Sequence, residues 1–172
     1  ALDPALMDRT VTFNGLAKTF SMPGWRIGWA AGPGDIITAM RNLLSHETTN
    51  PVSFAQAGAL AAYTDPRSAQ TIESMRVEFE KRGRHMAQRL SAMPGVTCVR
   101  PTGAFYCFPN VSAHYGRSIG QTAVTNSTTF AKAALNEARV ALVPGVEFGD
   151  DDCVRLTFAT SLQQIDKGLD AL

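Results

Sequence analysis

Lys18 and Arg26 are the residues with the most chemistry to offer. They stand in the stretch Asn14-Gly15-Leu16-Ala17-Lys18-Thr19-Phe20-Ser21-Met22-Pro23-Gly24-Trp25-Arg26-Ile27-Gly28-Trp29-Ala30-Ala31-Gly32-Pro33, with hydroxyls at Thr19 and Ser21 and a Pro-Gly break between them. Thr10 to Phe13 before the stretch is β-branched and aromatic and is expected to be a strand. Trp25 to Ala31 is apolar apart from Arg26 and is expected to be a second, buried strand. A buried cation requires a partner. A partly desolvated lysine has a lowered pKa and can act as a nucleophilic amine toward a carbonyl. An arginine leaving a buried strand can grip phosphate or carboxylate through a forked pair of hydrogen bonds. A cofactor bearing both a carbonyl and a phosphate uses both groups at once, and pyridoxal phosphate is such a cofactor. On chemistry alone, a structural Lys and Arg at a sheet edge stay the commoner arrangement.

Arg155 is the third candidate, interrupting the apolar run Val154-Arg155-Leu156-Thr157-Phe158-Ala159. An arginine so placed calls for a carboxylate. Taken by itself, an internal salt bridge is a commoner answer than a substrate. His46, His85 and His114 share no ligand spacing, which argues against a metal site. Tyr106, Trp25 and Trp29 are expected to pack.

The elements that must position these groups follow from punctuation and period. Asp3-Pro4 can cap a helical turn ending near Arg9. Asp35 can cap a helix running to about Ser45, and Val52 to Tyr63 is an alanine-rich helix suited to close packing. From Asp65-Pro66 to about Met93 the pattern predicts one long helix with a charged outer face. At 1.5 Å per residue it would span about 40 Å, enough to bridge two domains. Beyond Pro94-Gly95 the expected order is strand 96–99, strand 104–108, a polar surface loop over 110–126, helix 128–138, strand 140–143, strand 153–159 and a helix capped by Ser161.

With 172 residues, 45% apolar and 18% charged, the chain has the make-up of an ordinary globular enzyme and is too apolar for disorder. A net charge of +1 favours neither nucleic acid nor an acidic partner as ligand. No signal peptide and no apolar run of membrane-spanning length is present. Cys98, Cys107 and Cys153 are odd in number and widely spaced, without disulfide or metal pattern, so a reducing cytoplasm and buried thiols are expected.

The residues themselves carry a resemblance. Ala-Lys-Thr-Phe-Ser-Met-Pro-Gly-Trp-Arg-Ile-Gly-Trp at 17–29 closely resembles the cofactor-lysine signature of class I/II aminotransferases, the aspartate aminotransferase superfamily of fold type I. Pro101-Thr102-Gly103-Ala104-Phe105-Tyr106, Val143-Pro144-Gly145-Val146-Glu147-Phe148-Gly149 and Val154 to Ala159 resemble three further family segments in the right order. Thr48-Thr49-Asn50-Pro51 with Gln56 is similar to a segment near that family's dimer interface. The resemblance implies that Lys18 carries pyridoxal phosphate covalently and acts as general base, that Arg26 contacts the cofactor phosphate, and that Arg155 binds the substrate α-carboxylate. It implies amino transfer from an L-amino acid to a 2-oxo acid by a homodimer, with aspartate as donor because Met-x-Gly-Trp-Arg-Ile-Gly is similar to the bacterial aspartate-type subgroup.

The fold class so implied is α/β. Residues 1–65 would end a large cofactor-binding domain, 66–93 would form a linking helix, and 94–172 an α+β small domain. The resemblance covers only the C-terminal part of the family's length. The glycine-and-hydroxyl phosphate loop and the acid that pairs with the pyridinium nitrogen have no counterpart in this chain. A fragment, inactive alone, is therefore expected. Two rival functions share these motifs: a carbon–sulfur β-lyase, and the sensor half of a transcription regulator.

Overall fold

The computed structural model describes residues 3–172, which fold as two compact units, one up to Ser74 and the other from Met75 to Leu172.

The first unit opens with a 3-10 turn, Pro4–Arg9, capped by the Asp3 carboxylate as its sequence predicts. Strands β1 (Thr12–Gly15) and β2 (Gly28–Ala31) pair antiparallel, Thr12 opposite Ala31 and Gly15 opposite Gly28. Helices α1 (Gly34–Glu47) and α2 (Ser53–Thr64) follow. Here the expectation of a buried strand from Trp25 is corrected. Pro23–Trp25 is a 3-10 turn, Arg26 turns into the left-handed region, and extension starts only at Gly28, because Pro23-Gly24 sets a turn before the strand can form. Trp25 and Trp29 are more than two-fifths exposed, because α2 covers the two-stranded ribbon only in part. Leu16 and Ala55 are the buried apolar residues of this unit among the described residues.

Helix α3 runs from Ser68 to Ser91, 24 residues and so about 36 Å. Its outer face carries the pairs Arg82–Glu78 and Arg84–Glu80 one turn apart. Its inner face in the second unit gives Met86, Ala87 and Leu90 to a core completed by Cys107, Val111, Val154, Leu156, Phe158, Ile165 and Leu169.

The second unit contains β3 (Tyr106–Cys107), the hairpin β4 (Arg117–Ile119) and β5 (Thr122–Val124), helix α4 (Ser127–Ala133), β6 (Val143–Pro144), β7 (Val154–Thr157) and α5 (Leu162–Ala171). β7 is central, between β3 and β6, antiparallel to both. Ser161 caps α5 through the Gln164 N–H, as its sequence predicts. Asn126 and Thr129 form a reciprocal capping box on α4, which passes into a π-turn at Ala134–Ala138. Three expectations fail, the first being the strand over 140–143, which pairs only at Val143–Pro144. The strand 96–99 shrinks to a single bridge, Thr97 to Asn110, with Val99 almost fully exposed ahead of Pro101. The loop 110–126 contains the β4–β5 hairpin, whose Gly120 supplies a φ of +57°. Cys107 and Cys153 are buried, whereas Cys98 is half-buried. Among the described residues no helix is long and apolar enough to cross a membrane, and no group of three His, Cys, Asp or Glu could hold a metal ion.

Candidate active site

Lys18 sits in the connection between β1 and β2. The Leu16 N–H donates to the Ile27 carbonyl (3.3 Å), closing the base of this connection, and the Met22 N–H donates to the Leu16 carbonyl (3.1 Å). The Ser21 N–H donates to the Lys18 carbonyl (3.0 Å), making the lysine part of a tight turn. Leu16, fully buried, anchors it. Lys18 is two residues from the Leu16–Ile27 bond and Arg26 is one residue from it. The fold therefore brings the two cations to the same end of the ribbon.

Both residues are exposed, so the sequence expectation of buried cations is corrected. Arg26 donates through one terminal nitrogen to the Pro23 carbonyl (3.0 Å), which bends its guanidinium back over the turn. Ser21 and Arg26 have φ of 53° and 55°. A side chain in that region costs about 1–2 kcal/mol, so the surrounding bonds must hold this loop in place.

Helix α2 braces the loop. Tyr63 meets Phe20 edge to face at 4.8 Å and accepts the Trp29 indole N–H at 2.9 Å. The Trp25 ring lies over Gly58, where a Cβ would come within 2.4 Å of it. The small residues of α2 thus permit close approach, and it is Trp25 that uses it.

Arg155 belongs to the second unit and has its own surroundings. Along β7, Val154 and Leu156 face the core, and Arg155 and Thr157 alternate to the other face. Tyr106 stands opposite Thr157 and so shares that face. The expected carboxylate partner is replaced by two aromatic rings: the guanidinium carbon lies 4.5 Å from the Tyr106 ring centre and 4.3 Å from that of Phe148. Among the described residues no carboxylate pairs with Arg155. Two π clouds stand against this cation, and its N–H donors pair with no carboxylate among the described residues.

In the sequence Phe148 stands only within the family-like segment 143–149, with no role of its own, and Tyr106 is expected to pack. Period-2 alternation placed Tyr106 within reach, but nothing local could bring Phe148. It ends a 3-10 turn, Gly145–Phe148, that folds back through Gly149 at φ +84°. Gly145 is confined by backbone: a Cβ there would come within 2.1 Å of the Cys153 carbonyl oxygen. Ser127, fully buried, accepts the Val146 N–H (3.2 Å) and donates to the Asp151 carboxylate (2.6 Å), fixing the turn.

An amine and a guanidinium at one end of a ribbon form a donor set that fits a cofactor with a carbonyl and a phosphate. An aromatic-clamped guanidinium fits a carboxylate.

Comparison with known proteins meets the same chemistry. The family model "Aminotransferase class I and II" matches residues 3–172. The aspartate aminotransferases of Geobacillus stearothermophilus and Bacillus subtilis (strain 168) are each 46% identical over 171 residues, 99% of this chain and 42% of theirs. Among solved structures, the aspartate aminotransferase from Rhizobium meliloti matches with a TM-score of 0.92 at 34% identity, over 99% of this chain and 42% of that one. The aromatic aminotransferase from Pyrococcus horikoshii OT3 matches with a TM-score of 0.87 at 37% identity, over 98% and 43%. The chain spans about two-fifths of the length of the curated relatives it matches.

Proposed function

The chain belongs to the class I and II aminotransferases, a family that works with pyridoxal phosphate, and from that premise we propose that the whole protein transfers the amino group of an L-amino acid to a 2-oxo acid, with aspartate as donor. The observation that carries this reading is the arginine of β7: a guanidinium in contact with two rings and paired with no carboxylate among the described residues suits the α-carboxylate that amino acids and 2-oxo acids share. The two relatives at 46% identity support aspartate.

Three residues take roles in this reading. Lys18 would hold the cofactor through its amine, and the same amine is the base that would move the proton at the substrate α-carbon. Arg26 binds the cofactor phosphate, using the donors that its bond to Pro23 leaves over. Arg155 orients the carboxylate edge-on. The cofactor, when bound, supplies an electron-accepting ring that stabilises negative charge at the α-carbon. Phe13, Phe54 and Leu60 are each about two-thirds exposed, which supports their being covered in the whole protein, consistent with a homodimer.

The test is the whole protein given pyridoxal phosphate, L-aspartate and 2-oxoglutarate. Oxaloacetate and glutamate in equal amounts are expected. Release of pyruvate from cystathionine without amino exchange would replace this reading with a β-lyase.

A further inference from the structure

The surroundings of Arg155 form a chain of aromatic contacts. Phe108 meets Phe148 edge-on at 6.0 Å, the Arg155 guanidinium carbon lies 4.3 Å from the Phe148 ring centre and 4.5 Å from that of Tyr106, and Phe105 backs Tyr106 at 4.5 Å. An exposed arginine samples many rotamers, and a bound carboxylate must offset their loss. Two rings in cation–π contact narrow the rotamers that the arginine can sample before a carboxylate arrives. The contacts come from three segments: β3 gives Tyr106, the turn after β6 gives Phe148, and β7 gives the arginine. Such an arrangement depends on tertiary structure and is not a by-product of sequence proximity.

We propose that Tyr106 and Phe148 are positioning residues that hold the Arg155 guanidinium plane, so that the protein selects carboxylate-bearing substrates over amines that lack a carboxylate. This rests on the reading of Arg155 as carboxylate receptor. Neither ring exchanges protons with the substrate. Each acts through the arginine, and the effect falls on binding more than on turnover. Either large aromatic suffices at each position, because the ring face makes the contact, while an aliphatic side chain of similar volume does not replace it.

The experiment uses the whole protein loaded with pyridoxal phosphate, with maleate as a dicarboxylate probe followed by calorimetry. Phe148→Leu and Tyr106→Leu should each weaken maleate about ten-fold, as expected for loss of a partly desolvated cation–π contact. Phe148→Tyr and Tyr106→Phe should bind like the parent. KM for aspartate should rise in the leucine variants with kcat little changed, and the slow reaction of a simple primary amine should not move. Thermal melts of all four variants separate loss of binding from loss of fold, and the aromatic replacements keep the test open if a leucine variant unfolds. If Arg155→Ala leaves maleate binding intact, the carboxylate-receptor reading fails. If Arg155→Ala weakens maleate and the folded leucine variants do not, the positioning role alone is overturned.

Discussion

Gly83 of α3 lies directly under the ring of Phe158, so close that a Cβ at position 83 would stand 2.8 Å from Cζ and within 3.3 Å of both Cε atoms. Phe158 is 2% exposed and backed by Phe79, which leaves its ring no free direction to move. Two effects compete in Gly83→Ala. Helix propensity favours alanine by about 1 kcal/mol, and overpacking a closed core costs about 1–3 kcal/mol. The second should win, lowering stability by about 1 kcal/mol in urea titration. A variant more stable than the parent would show that the helix can slide off the ring.

Ser127→Ala removes a buried hydroxyl that accepts from the Val146 N–H and donates to Asp151. The Val146 N–H is left without this acceptor, while the Asp151 oxygen keeps the backbone N–H of residue 127 (3.1 Å), at a cost of about 1–3 kcal/mol. Because these bonds fix the turn carrying Phe148, maleate affinity should fall as well. Unchanged affinity in a destabilised variant would show that the turn holds its shape without Ser127.

The acid limb of stability should report on Asp166. His85 Nε2 lies 2.6 Å from its carboxylate, and Arg89 bonds the same oxygen at 2.6 Å, joining α3 to α5. The His85 hydrogen bond, with Arg89 adding to it, holds this carboxyl below its ordinary value of 3.8. A group depressed in the folded state contributes stability that is fully present above its unfolded value and is lost as pH falls through the folded one. Asp166→Asn should therefore be less stable than the parent at neutral pH, and the two should converge well below pH ~4. A difference that stays constant from neutral to acid pH would mean that the contact is worth the same whether or not the carboxyl is charged.

Tyr63→Ala takes away both the Phe20 ring contact and the acceptor of the Trp29 N–H. Trp29 emission should shift to the red and stability should fall by about 1 kcal/mol, whereas Tyr63→Phe should keep most of the stability and lose the hydrogen bond. Equal behaviour of the two variants would locate the brace in the hydrogen bond alone.

Much of this was written locally. Asp3 and Ser161 cap the helical segments that they precede, and the alternation of Val154 to Thr157 puts Arg155 on the face away from the core. What was not legible depended on distance along the chain or on an absent layer. The apolar run around Arg26 looked buried, but apolar residues mark a buried strand only where a second layer exists to cover them. The Gly120 hairpin lay in a polar stretch whose one signal was a Gly-x pair between short alternating segments. For Arg155 charge complementarity points to a carboxylate, yet among the described residues two rings stand against it and no acid. The clamp of Tyr106 and Phe148 arises from three separate segments that no local pattern joins.

The central claim is that Lys18 is the residue that holds the cofactor. Borohydride reduction of the whole protein with pyridoxal phosphate, followed by peptide mass mapping, tests it directly. The result predicted is one phosphopyridoxyl group on the peptide containing Lys18, lost in Lys18→Ala. A label on another lysine, or equal labelling of Lys18→Ala, would contradict it.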